Sequence, residues 1–376
     1  MEYTIEINYS PLQIDVSRKR MEAAQRFEIE DRVPVLLGVA NRYLLPQLGI
    51  GFLEFYDDPE LHLYYQLLGW QWMLENLKDD RLIEEELEVY PNFDNTTTAG
   101  LFDMEHIVWQ DDQPPRIVHW LETVRDVARL KRPHPTDNMG GRKLSYIEDM
   151  QFLVNKFHVR LQGEPILLRV GAGWQEGPFT AALDMAGEQI FEWAYDEPNA
   201  LHDLLAMITE AYIEYERTVR QLVEAEMTDV CICSDGAEML SPEMYREFVL
   251  PYSLQIYEAF PGQRRLHMCG DINHLLELLA EEQEITHLDG YGYGVDNEHL
   301  VEAMGGKVVV QGNVSPELIL NGTVEEVQQA AWEVLETFAE VGGLVLSDGY
   351  NICPDTPVEN MNALVHAADQ FAEQGQ

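Results

Sequence analysis

Eight short apolar runs rich in β-branched residues limit the fold of this chain more than any other feature. They lie at 32–39 (RVPVLLGV), 82–90 (LIEEELEVY at its core), 165–171 (PILLRVG), 229–235 (DVCICSD), 265–269 (RLHMC), 285–289 (ITHLD), 307–312 (KVVVQG) and 344–348 (LVLSD). Between the later runs, helical periodicity fills 242–257, 272–282, 297–304 and 324–340. Strict alternation of strand and helix builds a parallel sheet. Eight repeats favour a closed barrel over an open doubly wound sheet, and the G-x-G-x-x-G turn of a dinucleotide fold is absent, Gly171-Ala172-Gly173 being only a fragment of it. The expected class is therefore α/β, a (β/α)8 TIM barrel with N-terminal helical decoration and an insertion.

Residues 1–376 read as one domain, with an N-terminal extension over about 1–30, helices over 44–77 and an Asp- and Pro-rich insertion over about 90–132. Tyr64, Tyr65, Trp70 and Trp72 recur at helical spacing, which predicts core packing rather than a lid over the mouth.

Charge decides which partners are excluded. With 67 acidic against 24 basic residues the formal net charge is −43, and the longest basic run is Arg18-Lys19-Arg20. Nucleic acid and anionic membrane surfaces both require a basic patch. No apolar run approaches the roughly 18 residues of a membrane span. The first ten residues (MEYTIEINYS) lack the layout of a secretory signal, so a cytoplasmic location is expected. Four cysteines, Cys231, Cys233, Cys269 and Cys353, are too few for a disulfide scaffold and read as buried thiols or metal ligands.

Reactive groups in such a barrel sit at the C-terminal ends of its strands, and those ends are polar here. They carry Ser234-Asp235, then His267-Met268-Cys269-Gly270-Asp271, Asp289, Gly312-Asn313 and Asp348, with Tyr350 and Cys353 beyond. His267 and Cys269, one residue apart on an extended strand, face the same way, and imidazole plus thiolate is a zinc-type donor pair. Cys353 offers a third ligand, and Glu176 a fourth. The alternative is a hydrogen-bonded histidine beside a buried thiol. Cys231 and Cys233 also share a face and are expected in the core. Asp235 and Asp289 are mouth carboxylates suited to act as general base, to orient substrate or to orient a ligating histidine. Arg42 is a candidate anion-binding group, or else half of an internal ion pair, and Asn313 a turn-shaping or substrate-binding residue.

These residues resemble a known family. His267-Met268-Cys269-Gly270-Asp271, Gln311-Gly312-Asn313-Val314-Ser315-Pro316, Asn321-Gly322-Thr323 with Glu325-Glu326-Val327, and Thr356-Pro357 with Glu359-Asn360 are similar, in that order, to motifs of the uroporphyrinogen decarboxylase superfamily. Arg42-Tyr43-Leu44, Gly177-Pro178-Phe179-Thr180, Leu240-Ser241-Pro242-Glu243, Phe248 and Pro251-Tyr252 extend the likeness from Val33 to the C-terminus. The resemblance implies a TIM barrel, and either a decarboxylase or a methyltransferase acting on a corrinoid. It departs from the decarboxylases where Gly38 replaces an arginine, Asp184 a tyrosine and Tyr350 a histidine. A polycarboxylate substrate needs a cationic clamp, so decarboxylation of uroporphyrinogen is not expected.

The methyltransferase branch has a His-x-Cys followed by a later cysteine as its zinc site. His267 and Cys269 fit; the family's second cysteine falls on Tyr350, three residues before Cys353. What the resemblance implies is a zinc-dependent methyltransferase that moves a methyl group between a corrinoid, such as methylcobalamin, and a small acceptor such as a thiol, or from a methylated donor to cob(I)alamin. Tyr350 then joins Arg42 and Asn313 as substrate-binding. No D-x-H-x-x-G corrinoid motif is present, so a corrinoid protein would be a separate partner. The alternative is a metal-independent carboxy-lyase on a small carboxylic acid, using Asp235 or Asp289.

Overall fold

A computed structural model describes residues 2–83, 86–349 and 351–374. In chain order the strands are β1 (Tyr3–Ile7), β2 (Glu86–Val89), β3 (Ile107–Val108), β4 (Arg116–Ile117), β5 (Phe157–Leu161), β6 (Glu164–Val170), β7 (Val230–Cys233), β8 (Arg264–His267), β9 (His287–Asp289), β10 (Val309–Val314) and β11 (Leu344–Asp348). The half that carries the polar strand ends is a parallel sheet in the order β11-β10-β9-β8-β7. Parallel bridges continue it at both edges, Val35 with Leu346 and Glu176 with Cys233. Strand β6 pairs in parallel with β2, so the 32–39 run, β2, β6 and β7 to β11 form a (β/α)8 barrel.

The 32–39 run keeps one bridge and two ladder bonds, Leu36 N to Leu346 O and Leu346 N to Pro34 O. Asp80 N also donates to Val35 O and Ile352 N to Gly38 O, and a side chain completes the pairing. Asp80 accepts from the Val35 N–H at 2.9 Å and from Ser17, Arg20 and Arg32, which ties strand, loop and N-terminal helix together.

Residues 3–25 are part of this architecture rather than an appendage. Strand β1 pairs in parallel with β5, which forms a hairpin with β6. The alternating FHVRL of β5 and the turn at Gln162-Gly163, both at positive φ, are the hairpin signals in that stretch. Helix Pro11–Gln25 plugs the N-terminal end of the barrel, where Ala24 packs on Val309 and Val345 and Gln25 bonds His287.

Local sequence explains the helix ends. The expected helix 242–257 is two helices, Pro242–Phe248 and Leu250–Ala259, because Pro251 supplies no N–H and suits the start of a new helix. Helix Val324–Phe338 starts on a capping box, with Thr323 N donating to Glu326 Oε2 and Glu326 N to Thr323 Oγ1. Trp70 and Trp72 pack against the main core, Tyr64 and Tyr65 against smaller clusters, as their spacing predicts. The insertion adds helix Thr97–Phe102 and the β3-β4 hairpin, and is clamped by Arg142, whose guanidinium lies 4.9 Å from the Phe93 ring and 4.5 Å from the Trp109 ring. Among the described residues no helix is long and apolar enough to cross a membrane.

Candidate metal centre

Three predicted residues, from the ends of two neighbouring strands, meet at one point. One donor atom each from Asp235, His267 and Cys269 lies within 4.8 Å of the others. The local chain explains the convergence. Cys233 is opposite His267 in the β7-β8 register, so the residues just past these two strand ends are neighbours. Asp235 Oδ1 accepts from the Cys269 N–H at 3.0 Å and stands 3.5 Å from His267 Nε2. On the other side, His267 Nδ1 lies 2.6 Å from the Asp289 carbonyl. A carbonyl only accepts, so Nδ1 carries the proton and Nε2 is the atom presented to Asp235.

Imidazole nitrogen, thiolate sulfur and carboxylate oxygen are all zinc donors. A tetrahedron with bonds of about 2.0–2.1 Å has edges of roughly 3.3–3.4 Å, close to the 3.5 Å found between Nε2 and Oδ1. Burial, then the facing Asp235 carboxylate, pushes the Cys269 thiol well above its usual range. A dication between the two would reverse that repulsion. The residues therefore fit such an ion.

Cys353 does not join this cluster. β8 has β7 and β9 as its neighbours and β11 is three strands away, so the loop after β7 reaches His267 more directly. The Cys353 carbonyl instead caps a turn, accepting from Thr356 N and Oγ1. Tyr350, the other candidate, lies outside the described residues. Glu176 is also absent from the cluster; its Oε2 accepts from Thr98 N at 2.9 Å, and burial raises its pKa.

Asn313 is likewise engaged elsewhere. Its amide donates to the Gly292 and Val295 carbonyls and accepts from Asn297, so it fastens the loop after β9 instead of facing a ligand. Asp289 lines the site but its Oδ2 accepts from Arg265 Nε at 2.8 Å, and it is its carbonyl that serves the histidine. Arg42 meets Asn351, whose amide, oriented to satisfy both neighbours, accepts from Arg42 Nη2 at 3.3 Å and donates to Gly38 O. Cys231 and Cys233, expected in the core, are only partly buried, while Val230 and Ile232, which alternate with them, face the packed side.

Beside the cluster a cavity of about 180 Å³ is lined by His267, Asp289, Gln311, Ser347, Asp348 and Asn351, with Gly38 and Gly290. Of these the strand-end acids and the histidine are signalled by their residue types, and Gln311 and Gly38 only through the family motifs. Ser347 reads as an ordinary strand residue. Gly38 N donates to Asp348 Oδ1 at 2.7 Å, and a Cβ at position 38 would begin 3.2 Å from that carboxylate. A Cβ at Gly270 would stand where the Glu238 carboxylate lies, so that side chain would have to move aside. Burial, then Glu176 and Asp235, raises the Asp184 carboxyl to about 8, which favours the protonated acid in the place of the decarboxylases' tyrosine.

Residues 16–371 match the uroporphyrinogen decarboxylase (URO-D) family. The chain belongs to that family. Among curated relatives, the uroporphyrinogen decarboxylase of Chlorobium luteolum is 32% identical over 258 residues, covering 65% of this chain and 69% of the relative. That of Chlorobaculum tepidum is 31% identical over 235 residues, covering 59% and 64%. The fold is shared with a solved structure described as a methyltransferase from Methanosarcina mazei, with a TM-score of 0.69, 23% identity and coverage of 94% of this chain and 98% of that one.

Proposed function

We propose that this member of the URO-D family is a metal-dependent methyltransferase that passes a methyl group between a corrinoid and a small acceptor, with Asp235, His267 and Cys269 holding a zinc ion. The observation that carries this reading is the convergence of those three donors at one barrel mouth. Zinc bound there would supply Lewis-acid activation, lowering the pKa of an acceptor thiol.

The chain's own groups do the rest. The Asp289 carbonyl holds the His267 ring in one tautomer and orientation. Asp235 is oriented by the Cys269 N–H. The cavity alongside, about 180 Å³, suits a small acceptor. Asp348 is fixed by Gly38 N and Ser347 Oγ, so its carboxylate is a rigid wall of that cavity. Arg42, placed by Asn351, is the group suited to an anionic end of the acceptor. The corrinoid arrives from outside, free or on a partner protein, in a cytoplasmic setting.

The curated relatives' names favour a second reading, a carboxy-lyase on a small carboxylic acid. Against uroporphyrinogen itself stands the carboxylate of Asp348, packed against Gly38 where the decarboxylases have an arginine.

Metal analysis after dialysis tests the proposal: about one zinc per chain is expected, lost in His267→Ala, strongly weakened in Asp235→Asn and little changed in Cys353→Ser. The wild type should demethylate methylcobalamin in the presence of a thiol, or methylate cob(I)alamin from a methylated donor, as read from the corrinoid's visible spectrum. Metal-free protein that takes up no zinc, or equal rates in wild type and His267→Ala, would move the assignment to the lyase.

A further inference from the structure

The inward face of β7 carries Cys231 and Cys233 where a (β/α)8 barrel ordinarily places bulky branched side chains. Val230 and Ile232, 3% and 0% exposed, belong to the main core on the opposite face, whereas both thiols are free and only partly buried. Cys231 is opposite Arg265 in the sheet and Cys233 opposite His267. Cys231 Sγ lies 3.9 Å from Asp289 Oδ2, and their spacing of two on one strand puts both thiols on the same face. Neither belongs to the Asp235, His267 and Cys269 cluster.

We propose that Cys231 and Cys233 form a dithiol site in the barrel lumen for a thiophilic centre of the trivalent-arsenic class. Two residues apart on an extended strand, Cα atoms are separated by roughly 6.5–7 Å, at the upper limit for a disulfide. The pair is thus poorly placed to oxidise to itself, and well placed to take one larger soft atom between two sulfurs. With an organoarsenic(III) oxide, two As–S bonds form and the arsenic–oxygen bond breaks. The oxygen leaves as water with the two thiol protons, and arsenic stays trivalent, so no oxidant or reductant is required. An occupant would press on Asp289, whose carbonyl orients His267, and so would disturb the neighbouring centre. The capture itself does not depend on the methyl-transfer reading.

Phenylarsine oxide is the probe. Wild-type protein should bind one arsenic per chain with the loss of two titratable thiols, and His267→Ala, Cys269→Ser and Cys353→Ser should retain this binding. Cys231→Ser and Cys233→Ser should each weaken it by tenfold or more. Undiminished binding in either of those two variants, loss in Cys269→Ser, or no binding by the wild type would overturn the proposal. Should a serine variant fail to fold, alkylation and peptide mapping of the arsenical-treated wild type decides. Joint protection of Cys231 and Cys233 supports the site, and protection of any other pair overturns it.

Discussion

Replacing Asp80 by asparagine should cost about 3 kcal/mol of stability, because this one carboxylate, with none of its side chain exposed, holds three parts of the barrel together. Oδ1 accepts from Ser17 Oγ at 3.0 Å and Arg20 Nη1 at 2.9 Å, and Oδ2 from Arg32 Nη1 at 2.7 Å and Val35 N at 2.9 Å. Hydrogen bonds to charged groups contribute roughly 1.5–3 kcal/mol each, and breaking a buried ion pair typically costs about 3–5 kcal/mol. Asparagine keeps one acceptor oxygen but turns an NH2 towards donors, so half of these bonds are lost. The lower end of the range applies because both arginines retain partners: Arg20 has two bonds of 2.6 Å to Asp31, and Arg32 one of 2.7 Å to Asp369. Urea unfolding followed by far-UV circular dichroism, reading the first transition, measures the difference. Asp31→Asn is the comparator, since Asp31 is 54% exposed and should cost less than about 1 kcal/mol. An Asp80→Asn variant within 1 kcal/mol of wild type, or an Asp31→Asn variant equally destabilised, would refute the reasoning.

Removing the Arg142 clamp with Arg142→Gln should destabilise the protein by about 1–3 kcal/mol, since it loses ring contacts with Phe93 and Trp109 and the bond to the Tyr56 carbonyl, and proteolysis should then begin within the insertion. Lys143 is 2% exposed and burial lowers its pKa from 10.5 to about 8. Between those values the unfolded chain binds the extra proton, so this group's contribution to stability rises with pH from 8 to 10.5, and below 8 its cost is fully present at about 3 kcal/mol. The stability of Lys143→Met relative to wild type should therefore decline by about that amount between pH 7 and 10.5; denaturation curves across the range that show a constant difference would contradict it.

How far the sequence reached is clearest strand by strand. Each of the eight apolar runs lies on a strand or bridge of the barrel, because β-branched runs and helical periodicity are local properties that tertiary packing here reinforces. His267 and Cys269 were legible for the same reason, since a spacing of two on a strand already puts two side chains on one face. The ordered motifs added the family. The third member of the cluster was a different matter. Asp235, Cys353 and Tyr350 all follow strand ends, and their sequence positions do not say which one stands beside His267. The order β11-β10-β9-β8-β7 decides for Asp235 among the described residues.

Other decisions also belonged to the tertiary structure. Asp80 reads as a loop acid in Lys78-Asp79-Asp80-Arg81, and only the docking of helix Pro11–Gln25 buries it among arginines. Asn313 reads as a mouth residue, yet the loop after β9 takes up its amide. Cys231 and Cys233 alternate with apolar neighbours, a pattern that specifies two faces without saying which faces the lumen; packing of Val230 and Ile232 into the main core settles it. Periodicity is written in neighbouring residues and can be read from them. Which distant groups share a site depends on strand order and loop path, and these emerge only when the whole chain has closed on itself.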